Sequence, residues 1–150
     1  MLALSISPLA QDDADAPTGY ATKAQTADLL QSGLAYRRWR LEQSDMITTD
    51  AAAELAGTTR VTINAWIKSG RCIGLQGLIR GFKLPSWQFE PALWPAVQRL
   101  AKTAGTTDGW TLLSFLESPL EALEGRSPKE ALIEGVDIDR ILQIAQAEAH

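Results

Sequence analysis

The sequence predicts a mainly α-helical fold: a helix-turn-helix with a small β wing, followed by a small helical C-terminal domain. Three observations carry this expectation. Two short helical stretches meet at Gly57, each opened by a threonine. A glycine-rich stretch with interleaved apolar residues follows at 71–89. The segment 107–150 then alternates helix-capping residues, apolar helical spacing and glycine stops.

Taken in order, residues 1–18 hold Pro8, Pro17, Asp12, Asp13 and Asp15 with little periodicity and read as a flexible tail. Residues 19–45 form an N-terminal helix, its pattern clearest over 20–43. Leu29, Leu30, Leu34 and Trp39 fall roughly on one side, and Arg37, Arg38 and Arg40 crowd the last turns, where cations complement the helix dipole. Gly33 weakens its middle and permits a break. Packing of this helix on the helix-turn-helix is the expectation; dimerisation through Leu29, Leu30, Leu34 and Tyr36 is the alternative.

Residues 46–102 read as the winged helix-turn-helix. Thr48 or Thr49 caps a first helix rich in alanine, and Gly57 stops it with the left-handed backbone that a tight turn requires. Thr59 caps a second helix whose buried side is Ile63, Trp66 and Ile67, and Gly70 ends it. Short strands and a hairpin fit 71–89, with Trp87 expected in the core. Pro95 sits near the first position of a helix over 94–101. Residues 103–108 form a turn-rich link and the expected domain boundary. Beyond it, Trp110, Leu112, Leu113, Phe115 and Leu116 form an apolar helix that stops before Pro119. Ser127 and Glu130 make a capping box around Pro128, Gly135 ends that helix, and Asp137 caps a last one that buries Ile138, Ile141, Leu142 and Ala145.

The net charge of −4 conceals an uneven distribution. Over 37–83, eight bases stand against four acids; over 108–150, nine acids stand against three bases. A basic middle and an acidic end imply two surfaces with different partners, and a duplex would attract the first and repel the second. Cys72 is the only cysteine and His150 the only histidine. That inventory argues against a structural disulfide, a His/Cys zinc site and a Ser-His or Cys-His catalytic pair, so neither an enzyme nor a cofactor is expected. No apolar run approaches the ~20 residues of a membrane span, and 1–10 lacks the basic flank of a secretory signal. A cytoplasmic, membrane-free protein is the simplest expectation.

The second helix of a helix-turn-helix lies in the major groove, its N-terminal residues toward base edges. Candidate double-stranded DNA contacts are therefore Thr59, Arg60, Thr62, Asn64 and Lys68, with Arg71, Arg80 and Lys83 from the wing region. Arginine suits a guanine edge, asparagine an adenine edge, threonine a base or phosphate, and lysine a phosphate.

Two resemblances refine this reading. The stretch 47–73, with Thr48, Thr49, Ala52, Ala53 and Trp66, resembles the MerR/excisionase type of helix-turn-helix. The stretch 110–147 resembles the toxin-binding domain of Xre/MbcA/ParS-type antitoxins. That second likeness is carried by the helix at 110–115, Pro119, Leu123, Gly125-Arg126-Ser127-Pro128, Ala131-Leu132, Gly135, Ile141 and Ala145. It departs from the family in having Glu124 where a glycine is common and Ser118 before Pro119. The resemblance implies a toxin-binding-like domain at 107–150, a type II antitoxin role, a RES-type toxin that destroys NAD as partner, and self-association as a homo-oligomer. Candidate partner contacts are Arg126, Lys129, Arg140, Glu148 and His150. A stand-alone transcription regulator whose C-terminal domain dimerises, and an excisionase-like architectural protein, are the alternatives.

Overall fold

The computed structural model describes residues 22–77 and 80–149; the tail expected at 1–18 and His150 lie outside them. These residues form seven α-helices, two short 3-10 turns and one three-stranded sheet. The chain divides into two units, one ending at Trp39 and the other beginning at Arg40. The division falls in the last turn of helix α1 (Lys23–Leu41).

Helix α1 opens on a reciprocal cap. The Gln25 N–H donates to Thr22 Oγ1 (3.0 Å) and the Thr22 N–H donates to Gln25 Oε1 (2.9 Å), which satisfies two of the donors a helix start leaves open. The helix continues through Gly33 without a break. All residues from 22 to 39 are exposed, with Leu29, Leu30 and Leu34 at 68, 64 and 56%. The apolar residues of α1 do not make one stripe. Leu30 and Leu34 lie one turn apart on one side, whereas Leu29 and Tyr36 follow another line.

The second unit begins with β1 (Met46–Thr48) and α2 (Thr49–Ala56), then α3 (Arg60–Ser69), β2 (Leu75–Gln76) and β3 (Phe82–Pro85). The expected hairpin is present: β2 and β3 pair antiparallel, with Leu75 opposite Lys83. A strand the sequence reading did not place, β1, pairs with the other edge of β3, setting Ile47 opposite Leu84. The sheet order is thus β1-β3-β2. After a 3-10 turn over Ser86–Phe89 come α4 (Trp94–Ala104), α5 (Gly109–Glu117), a second 3-10 turn (Glu121–Leu123), α6 (Pro128–Ile133) and α7 (Ile138–Glu148).

Two apolar clusters fill this unit. The smaller lies beneath α2 and α3 and holds Ala52, Ala53, Ile63, Ile67, Cys72 and Leu84. The larger joins Met46, Ile73, Leu75 and Trp87 to Leu93, Val97 and Leu100 around α4, to Leu112, Leu113 and Leu116 of α5, and to Ile141, Leu142 and Ala145 of α7. Trp94 packs against both. The link expected to separate 46–102 from 107–150 therefore does not interrupt the packing. Helix α4, assigned to the first of those segments, packs most extensively on α7. Close approach reinforces the join, because a Cβ added at Gly109, the first residue of α5, would run into the carbonyl oxygen of Gly74. Trp110 Nε1 also donates to the Gln76 carbonyl.

Two polar groups lock the buried framework. Gln88 is fully buried and fully used: its Oε1 accepts from the Ile73 N–H (2.8 Å), and its Nε2 donates to the Ile73 and Pro85 carbonyls. Arg40 is 6% exposed and grips two carboxylates. Its Nη1 and Nη2 donate to Asp45 (2.8 and 2.7 Å), and its Nε and Nη2 donate to Glu117 (3.1 and 2.6 Å). Trp87 Nε1 adds a third donor to Asp45. These donors stabilise the ionised carboxyl, so the Asp45 pKa is lowered, chiefly by the Arg40 hydrogen bonds.

Asp45→Asn is expected to destabilise the protein by about 3 kcal/mol in urea unfolding, because it leaves the buried Arg40 charge half-compensated. A depressed carboxyl pKa adds stability that is complete above the unfolded value of about 4 and is lost as pH falls through the folded value. The stability gap between wild type and Asp45→Asn should therefore hold steady above about pH 5 and close below about pH 4.

Candidate nucleic-acid interface

Helices α2 and α3 are built by local chemistry. Thr48 Oγ1 accepts from the Ala51 N–H and caps α2, choosing between the two threonines the sequence offered. Gly57 closes α2 at φ 71°, a left-handed conformation in which a side chain would be strained. Two residues later Thr59 caps α3, its Oγ1 accepting from the Thr62 N–H, and Gly70 ends that helix at φ 82°. Ile63 is fully buried and Ile67 nearly so, and this fixes the rotation of α3 about its own axis. Trp66, expected in the core, is only half-buried. It lies at the rim, with the Trp94 ring 5.7 Å away and the Arg71 guanidinium 4.9 Å from its centroid. An indole at this position is covered by a cation and another indole instead of by aliphatic core.

The candidate DNA-contacting residues separate into groups. Thr59 and Thr62 serve the helix start, and the Thr59 hydroxyl donates to Thr62 Oγ1. Arg60 is exposed but paired: its Nε and Nη2 donate to the two carboxylate oxygens of Asp50 at 2.8 and 3.1 Å. Arg71 is exposed, stacks on Trp66 and donates to Gln98 Oε1. Lys68, Arg80 and Lys83 are exposed and carry no ion pair among the described residues. Asn64 is half-buried, and its amide has no hydrogen-bond partner among the described residues. The basic excess counted over 37–83 is thus partly internal, since Arg40 is buried against two acids and Arg60 is matched by Asp50.

Two outward residues of α3 escaped the sequence reading. Val61 is 77% exposed and Ala65 is exposed. With Lys68 they follow the spacing of four and three residues that lines one side of a helix. Apolar residues are ordinarily assigned to a core, so Val61 was passed over in favour of its polar neighbours. The signal was nevertheless present: once Ile63 and Ile67 face inward, residues 61 and 65 must face out.

At the other end of the chain the partner candidates are mostly engaged within the fold. Arg126 Nε donates to the Leu123 carbonyl and its Nη1 pairs with Glu134 at 2.6 Å. The Lys129 ammonium lies 4.3 Å from the centroid of a Trp87 ring. Arg140 Nη2 donates to the Ala122 carbonyl. Glu148 is exposed, and His150 lies outside the described residues. The capping box of Ser127 and Glu130 is complete, with Pro128 at the helix start. Asp137 precedes α7 as expected, but its side chain makes no capping hydrogen bond. Glu124 occupies the left-handed region at φ 59°, where a glycine would carry no steric cost. Ile133 stands exposed at the end of α6.

Among the described residues, no group of three or more His, Cys, Asp or Glu side chains is placed to hold a metal ion, and no helix is long and apolar enough to cross a membrane. No family model, no curated protein and no solved structure matches the chain.

Structural and outward-facing roles on α3 separate in one experiment. Ile63→Ala should lower unfolding free energy by about 2 to 5 kcal/mol, the cost of a cavity in a packed core. Arg60→Ala should change it by no more than about 0.5 kcal/mol, as for an exposed site.

Proposed function

We propose that the protein is a DNA-binding transcriptional regulator in which α2, the Gly57 turn and α3 act as a helix-turn-helix. On this reading α3 enters the major groove and the β2–β3 hairpin contacts the neighbouring backbone as a wing. One observation carries the proposal: α3 is anchored by Ile63 and Ile67, its opposite side presents Val61, Ala65 and Lys68 to solvent, Arg60 is exposed in its first turn, and Asn64 is half-buried at the flank. Asn64 offers an unpartnered amide of the kind that bonds an adenine edge in bidentate fashion. Lys68, Arg80 and Lys83 offer unneutralised cations for phosphates.

The Arg60–Asp50 pair gives this reading a specific electrostatic form. In the free protein Asp50 holds the guanidinium in a two-bond fork, the same geometry a guanine edge or a phosphate would use. Binding then exchanges one acceptor for another, and Asp50 competes against DNA. Operator duplexes recovered from a randomised pool by the full chain provide the test. Arg60→Ala should bind them about tenfold more weakly, Asp50→Asn severalfold more tightly, and affinity should fall steeply with added salt. A salt-independent affinity, or an Arg60→Ala protein as tight as wild type, contradicts the assignment.

The second part of the proposal is an antitoxin-like role, in which the α5–α7 end binds a RES-type toxin. Its support is the likeness of the 110–147 stretch to the toxin-binding domain, together with a capped loop at 124–130 and an exposed Ile133. An exposed apolar side chain among charged neighbours of both signs suits a contact with a protein partner. Co-expression with a RES-domain protein from a neighbouring reading frame should yield a complex that Ile133→Lys weakens. Chain that shifts operator DNA but ignores that protein would instead be the stand-alone regulator. Self-association through α1 is the remaining element, and Leu30 and Leu34 are the side chains it would use.

A further inference from the structure

Val61 poses a specific problem. At 77% it is the most exposed of the large apolar side chains among the described residues. It lies in the first turn of α3, one residue after Arg60. Nothing in the fold rewards a valine there. A β-branched residue is a poorer helix former than alanine, lysine or glutamate, and the position buries almost nothing. Its surroundings are not those of an apolar patch for a protein partner. Ala65, the next residue along the same line, is small, and Lys68 ends the line with a cation; Arg60 and Asn64 flank it. The side is therefore basic and polar with a single stiff isopropyl group near its leading end.

We propose that Val61 reads the 5-methyl group of thymine in the major groove. The inference rests on the assignment of α3 as the base-contacting helix and adds the feature that would choose the sequence. The N-terminal residues of such a helix approach base edges most closely. Among the groups a duplex presents in the major groove, the thymine methyl is the one apolar feature, and the minor groove has no equivalent. A valine meets it at small entropic cost, because branching at Cβ already restricts its side-chain torsion. Lys68, two turns further along the same side, lies where the helix leaves the bases and meets phosphate, so the charge needed for docking and the apolar group needed for discrimination occupy one stripe.

Deoxyuridine tests this directly, since it pairs as thymine does but lacks the methyl. A duplex recovered by the full chain from a randomised pool is remade with each thymine singly replaced by deoxyuridine, and the affinity of each duplex is measured. Wild-type protein should lose about three- to tenfold at one or two positions, the factor expected for burying one methyl group. Val61→Ala should bind the unmodified duplex correspondingly more weakly and lose the methyl dependence at those same positions, with an unchanged salt slope and melting temperature. If methyl removal and the Val61 substitution act independently at all positions, the inference falls and the DNA-binding assignment stands. If the wild-type chain recovers no duplex, both fall. If Val61→Ala leaves every DNA affinity unchanged but abolishes binding of a co-expressed partner protein, Val61 belongs to a protein contact and the inference is overturned.

Discussion

Ile63 and Ile67 are held against Ala52, Ala53, Cys72 and Leu84, and that contact decides which side of α3 meets water. The constraint is geometric. With two positions four residues apart driven inward, the helix has no rotational freedom left, and Val61, Ala65 and Lys68 must face out. The wing depends on the same contact. Leu84 lies in the middle of β3, is fully buried in the small cluster, and stands opposite Ile47 of β1. The helix and the hairpin that would flank a duplex are therefore positioned by one small set of aliphatic side chains.

That cluster is too small to stand without support, and the support comes from later in the chain. Trp94 lines both clusters, and α4 carries the connection on to α7. Arg40 ties the start of the second unit to α5 through Glu117, 77 residues away in sequence, and to the approach to β1 through Asp45. Gln88 bridges Ile73 and Pro85, fixing the segment that leaves α3 against the end of β3. A buried arginine and a buried glutamine are stable here because each guanidinium nitrogen and both ends of the amide have found a partner. The surface proposed for DNA and the surface proposed for a protein partner thus belong to one packed body.

Much of this was legible locally. Thr59, Gly57, Gly70, Ser127, Glu130 and Pro128 announce helix ends through chemistry confined to a few residues, and the structure follows them closely. The Thr22–Gln25 cap carries an equally plain signal, a threonine three residues before a glutamine. Long-range facts were not legible. Nothing around Arg40 marks it as buried, since its partners are five and 77 residues away, and a run of arginines at a helix end reads equally well as solvated surface. The division at 103–108 followed turn-forming composition, but composition does not reveal that apolar residues on both sides share a core. For the candidate interface, residue type pointed to Lys68, which is exposed, and to Asn64, which is half-buried, whereas the Asp50 carboxylate on Arg60 and the exposure of Val61 required the actual rotation of the helices.

Cys72 illustrates what the tight packing under α3 entails. It is 1% exposed, and burial pushes its thiol up to about 12. At neutral pH the thiol is therefore held in its protonated form, and the sulfur is out of reach of a reagent. Alkylation of the native protein must therefore wait for the α3 region to come apart momentarily, which makes this single thiol a built-in clock for local opening. Any ligand that clasps α3 would slow that clock, and the slowing would report the strength of the grip without a label added anywhere on the surface.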